Sequence, residues 1–544
     1  MRNVFLRFSV LILFVTTNNI FSQIIFDENF GTHGKVVTSF GSANSNMASI
    51  DVQSDGKIIT CGSYYNGIIN QIALSRYNVD GSLDVTFGDN GKVITPIGTK
   101  KENESNTVRV LKDGNIIVGA TSELNIRSIT LVRYDSSGKL DLSFGENGIL
   151  VSEFNDTVNF STLEIQSDNK IVVGGSMSIS KSGYYSNFIL VRYNIDGSKD
   201  TSFGEDGLVN INIGTVLNNL TTSDDYLGKI KIQSDGKIIA SGMTYVSQSN
   251  GNGDFGMIRL NTDGSLDSNF GINGKVITDF GATEEANSIQ ILSDGKIILS
   301  GIYYYNDDAN EKIVIAKYNS DGTLDASYGN NGKVVFESET TVFAFTSEIQ
   351  TDGKLLVSGF IIKASADFFI LRFNVDGTVD ETFFGDDGLM LIDFGTNEGI
   401  YTSIIQQDGK LVLGGNINDG SKNDFILLRF DMATLSKSNF FANSKIKVYP
   451  NPFNEFIDID VDISQNKNIS IDLFDISGKK IVSKPKFDYN KNAVRLLINQ
   501  YVPKGIYFLK ISDNRNMSVI KVVRWECNLE DFSSFNSIKQ NKNE

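Results

Sequence analysis

The sequence predicts an all-β chain, a seven-bladed β-propeller of four-stranded repeats followed by a small β-sandwich, and three observations carry that prediction. A set of landmarks returns seven times at steps of 55 to 67 residues, no stretch between them carries a helical hydrophobic period, and beyond residue 445 the repeats stop while prolines accumulate. The first landmark is an aromatic-Gly pair whose aromatic is Phe30, Phe87, Phe144, Phe203, Phe270, Tyr328 and Phe384. The second is an Asp-Gly-Lys turn beginning at Asp55, Asp113, Asp168, Asp235, Asp294, Asp352 and Asp408. The third is a cation before an aromatic, at Arg76, Arg133, Arg192, Arg259, Lys317, Arg372 and Arg429.

One repeat reads as four strands. Lys35 to Phe40 is the first and Ser49 to Gln53 the second, with Ile50 and Val52 alternating against Asp51 and Gln53. The turn Ser54-Asp55-Gly56 reverses the chain, because Asp-Gly supplies the positive φ of a tight hairpin. Lys57 to Cys61 is the third strand and Ile72 to Tyr77 the fourth. A four-stranded sheet cannot bury both faces alone, so the copies must stack, and radial stacking of seven gives seven blades.

The words Leu74-Ser75-Arg76-Tyr77-Asn78-Val79-Asp80-Gly81-Ser82-Leu83-Asp84, then Phe87-Gly88 and Gly91-Lys92-Val93, with Gln53-Ser54-Asp55-Gly56-Lys57-Ile58-Ile59 before them, resemble the delta-60 repeat family. The resemblance covers residues 26 to 440 in seven copies and implies β-propeller blades, with no assigned biochemistry. Leu260 replaces the aromatic of the fourth copy, Asn169 replaces the turn glycine of the third, and the seventh has an extra residue at Phe383-Phe384.

Taken in order, residues 1–22 read as a secretory signal peptide: arginines at 2 and 7, an apolar run from Val10 to Val15, and small residues before Gln23. Residues 23–440 form the propeller, and no later segment offers the uninterrupted apolar stretch of about 18 residues that a membrane helix needs. A formal charge of -16 provides no basic stripe for nucleic acid. The two cysteines, Cys61 and Cys527, lie far apart in sequence, so disulfides do not hold this fold. His33 is the only histidine, which leaves neither a histidine-rich metal site nor a Ser-His-Asp triad to build. No cofactor is expected. Calcium is a weaker alternative at loops such as Asn78 to Asp84, where oxygen side chains alternate, against a reading in which Asp80 caps a turn and Asp84 accepts hydrogen bonds from loop amides or Arg76.

In an antiparallel meander, connections fall on alternate sides. The Asp-Gly-Lys turns and the Phe-Gly loops share one face and hardly vary; on the other face Ser176 to Asn187, Asn212 to Leu227 and Ser249 to Gly253 are long or loose, as function-bearing loops are. Tyrosines gather there: Tyr64, Tyr65, Tyr184, Tyr185, Tyr245, Tyr303, Tyr304 and Tyr305, with Asp307 and Asp308 beside them. Flat rings with a polar tip and nearby carboxylates suit an extracellular glycan or protein ligand. The alternatives are rings that merely cover blade edges, a polysaccharide-active enzyme using paired acids such as Asp307, Asp308, Glu284 and Glu285, and a purely structural surface component.

Residues 441–446 read as a linker. Residues 447–524 show short alternating strands at Phe456 to Val461, Ile469 to Phe474, Ala493 to Ile498, Ile506 to Ile511 and Val519 to Val523. The words Tyr449-Pro450-Asn451-Pro452, then Gly478-Lys479 within Leu473 to Lys480, then Gly505 and Tyr507 within Lys504 to Tyr507, resemble the type A C-terminal sorting domain of the type IX secretion system of Bacteroidota. That resemblance implies the type IX machinery as a partner, passage through the periplasm, removal of the domain, and release or attachment at the outer surface. Residues 525–544 continue as a polar tail containing Cys527.

Overall fold

The computed structural model describes residues 25–98, 104–123, 126–179, 185–214, 223–246, 252–304, 311–338, 340–363, 365–383 and 388–432 of the repeat region. In the C-terminal region it describes 447–449, 453, 455–460, 470–475, 480–481, 484–488, 493–498, 502–503, 505–512 and 517–524. The expected signal peptide, linker and tail lie outside these residues. Seven antiparallel sheets make up the repeat region, six of four strands and one of five, in which the short Ile25–Phe26 is the extra strand, and no α-helix occurs among the described residues.

The first blade runs Ser45–Val52, Ile58–Tyr65, Asn70–Tyr77 and Lys92–Thr95, each strand paired with the next. Every blade repeats that order, and the seven first strands touch one another in a closed ring, the seventh (Asn397–Ile405) against the first. The first strand of each sheet is therefore innermost and the fourth outermost. The strands expected from the repeat are present, but the blade is offset from the repeat by one strand. Lys35–Thr38 pairs with Asn423–Asp431 of the seventh blade, not with the strand that follows it in sequence. Ile25–Phe26 pairs along the same edge, so the last blade takes its outermost strand from the start of the repeat region. Closure then rests on one shared core, where Ile50, Ile58 and Ala73 of blade 1 pack against Val412 and Leu427 of blade 7.

The three landmarks meet in one cluster in six of the seven blades; in the second the turn has Asn115 in place of lysine and Arg133 alone pairs with Asp141. Arg76 Nε donates to Asp84 at 2.8 Å, Lys57 Nζ of the turn reaches the same oxygen at 2.8 Å, and the guanidinium lies 4.6 Å from the Phe87 ring centroid. Burial alone would raise the Asp84 carboxyl, but hydrogen bonds from Lys57 and Thr86 and the Arg76 charge hold it well below the usual carboxylate range. The seventh cluster joins Arg429 and Lys410 to Asp27, at 2.8 and 2.7 Å, so the blade closed by the early strand also takes its aspartate from there. In the sixth blade the ring over Arg372 is Phe383, at 4.2 Å, not Phe384, and Asp380 to Phe383 keeps the three-residue spacing of the other copies. These aspartates are held by cations of the fold. Asp80 caps its turn, accepting from the amide and hydroxyl of Ser82.

The glycine after the aromatic has its own reason. Gly88 adopts φ +54 and donates its amide to Ser137 O of the next blade at 2.8 Å; an added Cβ would lie 2.2 Å from Lys92 O. The aromatic after the cation ties neighbouring blades together. Tyr77, Tyr134, Tyr193 and Tyr318 are fully buried, and their hydroxyls bond Thr38, Thr95, Ser152 and Thr278, the last residue of the preceding blade's outermost strand, at 2.5 to 2.8 Å. Where the aromatic is Leu260, Phe373 or Phe430, the residue at that last position is Ile211, Phe336 or Ile392. A hydroxyl pair and an apolar pair are alternative fillings of one interface. His33 sits in the first Phe-Gly loop at φ +54, half exposed, with Nδ1 2.6 Å from Glu28.

The C-terminal region forms two four-stranded antiparallel sheets. One holds Lys447–Tyr449, Phe456–Asp460, Ala493–Leu497 and Lys484–Asp488; the other holds Lys480–Ile481, Ser470–Asp475, Gly505–Ser512 and Met517–Arg524. Alternate residues of both, among them Ile457, Ile459, Leu473, Leu496 and Leu509, build one core. This is the β-sandwich the alternation predicted.

Candidate ligand-binding site

The link that lengthens one repeat step to 67 residues leads to an open cleft. Ser223–Ile232 begins blade 4 at its innermost edge and brings Asp224 and Tyr226 beside Met243 and Tyr245 of Ile238–Val246 and beside Glu285 of blade 5. These residues line about 570 Å³ on the variable face. Tyr226 and Tyr245 stand edge to face, ring centroids 6.4 Å apart and planes at 87°, and Tyr226 remains 42% exposed. The Tyr304 hydroxyl lies 3.8 Å from Met243 Sδ; burial and its proximity to Tyr245 and Glu285 keep it protonated. Burial also raises the Glu285 carboxyl. The cleft thus combines ring faces, a thioether and two carboxylates.

Of the expected tyrosines, Tyr245 lines the cleft and Tyr304 adjoins it through Met243. Tyr303 turns to Lys312, whose Nζ lies 5.3 Å from its ring centroid. Tyr64 packs 6.5 Å from Phe40 at the junction of blades 7 and 1, Tyr65 donates to Gly67 O at 2.9 Å, and Tyr185 begins a strand of blade 3. These do not share the cleft. Tyr184, Tyr305, Asp307 and Asp308 lie outside the described residues. Asp224, Tyr226 and Met243 were not among the expected site residues, although the first two fall within the long variable link Asn212 to Leu227.

A second feature was not anticipated. Four residues before each turn aspartate, the innermost strands place Asp51, Arg109, Glu164, Lys231, Gln290, Glu348 and Ile404 around the axis. Arg109 grips Glu164 bidentately at 3.1 and 2.7 Å, and Lys231 approaches the same carboxylate at 3.7 Å. Glu348 accepts from Ser403 Oγ at 3.0 Å, and burial, only partly offset by the Lys231 and Arg109 charges and that hydrogen bond, raises its carboxyl to about 7. Burial lowers Lys229 to about 8.

In the sandwich, Tyr507 is buried against Phe453, ring centroids 6.0 Å apart, with its hydroxyl donating to Pro503 O. Gly505 opens the same strand and Tyr449 is exposed at the end of Lys447–Tyr449. Pro450, Asn451, Pro452, Gly478 and Lys479 lie outside the described residues.

The family described as a domain of unknown function (DUF5122) β-propeller matches residues 53–87, 111–144, 166–203, 233–270, 292–328, 350–383 and 406–432. The repeat region is a DUF5122 β-propeller. The first six matches of the DUF5122 repeat end on the aromatic that stacks under the cation, the sixth on Phe383. Residues 447–524 match the secretion system C-terminal sorting domain, which marks the chain for type IX export to the cell surface or the medium. Among solved structures, the DUF5122 chain is similar to the polysaccharide lyase Uly1 (12% identity, 75% of this chain and 93% of that one, TM-score 0.45). It is also similar to a protein of unknown function from Dyadobacter fermentans DSM 18053 (11%, 73% and 98%, 0.39) and to a PL25 ulvan lyase (11%, 71% and 94%, 0.45). Likeness of this degree bears on neither ligand nor activity. No curated protein matches the chain.

Proposed function

We propose that this exported DUF5122 propeller is a binding module, and that its ligand, a glycan or an extended protein segment, enters the cleft between blades 4 and 5. The observation that carries the reading is the convergence of Tyr226, Tyr245 and Tyr304 with Asp224 and Glu285 at the one place where the repeat is longest. Ring faces stack on the apolar face of a sugar or on a side chain, and carboxylates accept hydrogen bonds from hydroxyls or amides. The sorting domain delivers this surface to the cell exterior and is removed on arrival; deleting residues 445–544 is expected to trap the propeller in the periplasm.

The test is a glycan array and calorimetry on the purified chain beside Tyr226→Ala and Tyr245→Ala. Binding by the parent that each variant weakens at least tenfold supports the reading. Binding that both variants retain refutes the site, and a folded parent that binds no glycan or surface protein refutes the function. A second reading, a glycan-active enzyme, draws on Glu285, whose carboxyl burial raises, beside a second acid, Asp224. Release of shorter products from an array-positive polysaccharide, lost in Glu285→Gln, would favour it.

A further inference from the structure

Among the described residues, two of the blade junctions carry three carboxylates each, at equivalent positions. At the junction of blades 4 and 5 these are Asp254, Asp279 and Glu284; at that of blades 6 and 7 they are Asp367, Asp393 and Glu398. In both, the first acid is six residues before the end of the core third strand (Leu260 and Phe373). The second directly follows the outermost strand, within Asp279-Phe280-Gly281 and Asp393-Phe394-Gly395, and the glutamate opens the next blade five residues on. One oxygen from each acid of a trio lies within 4.8 Å of the others. Ligands at about 2.3–2.6 Å from a calcium ion stand no more than about 5 Å apart, so each trio has the span of one coordination shell.

Unpartnered buried oxygens point to a ligand independently. Asp254 is 3% exposed and its Oδ1 has no hydrogen-bond partner; Glu398 is 2% exposed and its Oε2 has none. A buried carboxylate oxygen left bare costs far more than one that meets a cation.

Other junctions show how the same positions are filled when the chain supplies the balance itself. Between blades 7 and 1 the matching acid is Asp424 and Ser39-Phe40-Gly41 replaces Asp-Phe-Gly; there the Lys422 ammonium binds Asp424 at 3.1 Å, Ser39 Oγ at 2.5 Å and Gly41 O at 2.6 Å. Between blades 5 and 6, Lys312 stands at the first position and pairs with Glu337 at the second, 3.1 Å away. Between blades 3 and 4 the first two positions are Asn187 and Asn212, joined by an amide hydrogen bond of 2.9 Å. The two acidic trios have a lysine only at their margin. Lys333 Nζ donates to Asp279 O, not to a carboxylate, and lies over Phe280, while Lys35 lies over Phe394.

We infer that each trio is a divalent-cation site selecting calcium over transition metals, with the ion taking the place that the Lys422 ammonium occupies at the junction of blades 7 and 1. Carboxylates are hard oxygen donors, the kind that calcium takes in preference to the nitrogen and sulfur ligands of transition metals. The ions pin blade 4 to blade 5 and blade 6 to blade 7 near the variable face. The first ion sits next to the proposed cleft, since Glu284 precedes Glu285, yet it requires nothing of that cleft's function.

The test is calorimetric titration of the EDTA-treated full chain with calcium chloride, and its Tm in EDTA and in about 10 mM calcium. Two ions per chain are expected, one in Asp254→Asn, one in Asp367→Asn and none in the double variant, with the calcium-dependent rise in Tm shrinking in step. In EDTA the variants should melt no lower than the parent, because each loses a repulsive charge; that outcome separates a lost ligand from a damaged fold. A parent that takes up no calcium and melts alike in both buffers overturns the inference, as does an unchanged stoichiometry in the double variant.

Discussion

Replacing Tyr134 by Phe and Thr95 by Val, singly and together, measures the bond that joins blade 2 to blade 1. The Tyr134 hydroxyl donates to Thr95 Oγ1 at 2.8 Å, with Tyr134 fully buried and Thr95 5% exposed, so water cannot replace a lost partner. Each single change is expected to cost about 1–3 kcal/mol, the penalty of leaving one buried polar group bare. The double variant recreates the apolar filling that this chain uses between blades 6 and 5, where Phe373 and Phe336 meet at 6.3 Å with planes at 90°. It should therefore cost less than the two singles summed, by a coupling of about 1–2 kcal/mol. Urea unfolding of the purified chain followed by circular dichroism reads this as a shift in midpoint at constant slope. Additive single and double variants would refute the claim that the hydroxyl pair and the apolar pair are interchangeable solutions of one interface.

Gly88→Ala should destabilise the chain by about 2 kcal/mol or more, since the new Cβ meets Lys92 O at φ +54, and should fold less well than Gly67→Ala, which meets nothing within 4 Å; thermal melts compare them. Glu348→Gln should flatten the dependence of Tm on pH. The folded carboxyl titrates near 7, above its unfolded value of about 4.3, so its contribution is fully present below pH of about 4 and is lost as pH rises to 7. The variant should thus gain on the parent at pH 8 relative to pH 4, and an identical profile would show that Glu348 is not buried as charged.

Blade number and blade chemistry were legible because they rest on residues that must recur: Asp84 and its six counterparts each meet a cation and an aromatic that the sequence also repeats. The phase was not legible. A period has no beginning, and nothing in Lys35-Val36-Val37-Thr38 says that its partner strand lies almost 400 residues away. The site was half legible for a related reason. Tyr245 and Tyr304 could be placed on the variable face, but Tyr64 and Tyr65 share that face from another part of the ring. The axial charges were hidden because their position carries Asp, Arg, Glu, Lys, Gln, Glu and Ile in turn, a pattern that means something only when the ring is closed.

That the first strands of the repeat region complete its last blade also sets an order of events. Lys35–Thr38 leaves the ribosome early and has no partner until Asn423–Asp431 follows, so six blades can stack while the seventh waits. Joining ends across a loop of that length costs about 5 kcal/mol or more of chain entropy, which the packing of the closed ring must offset. The unpaired edge of the first segment is meanwhile open to any passing strand. Since the sorting domain lies C-terminal to the closing strand, the part that addresses the chain for the type IX step is made only after every strand of the ring.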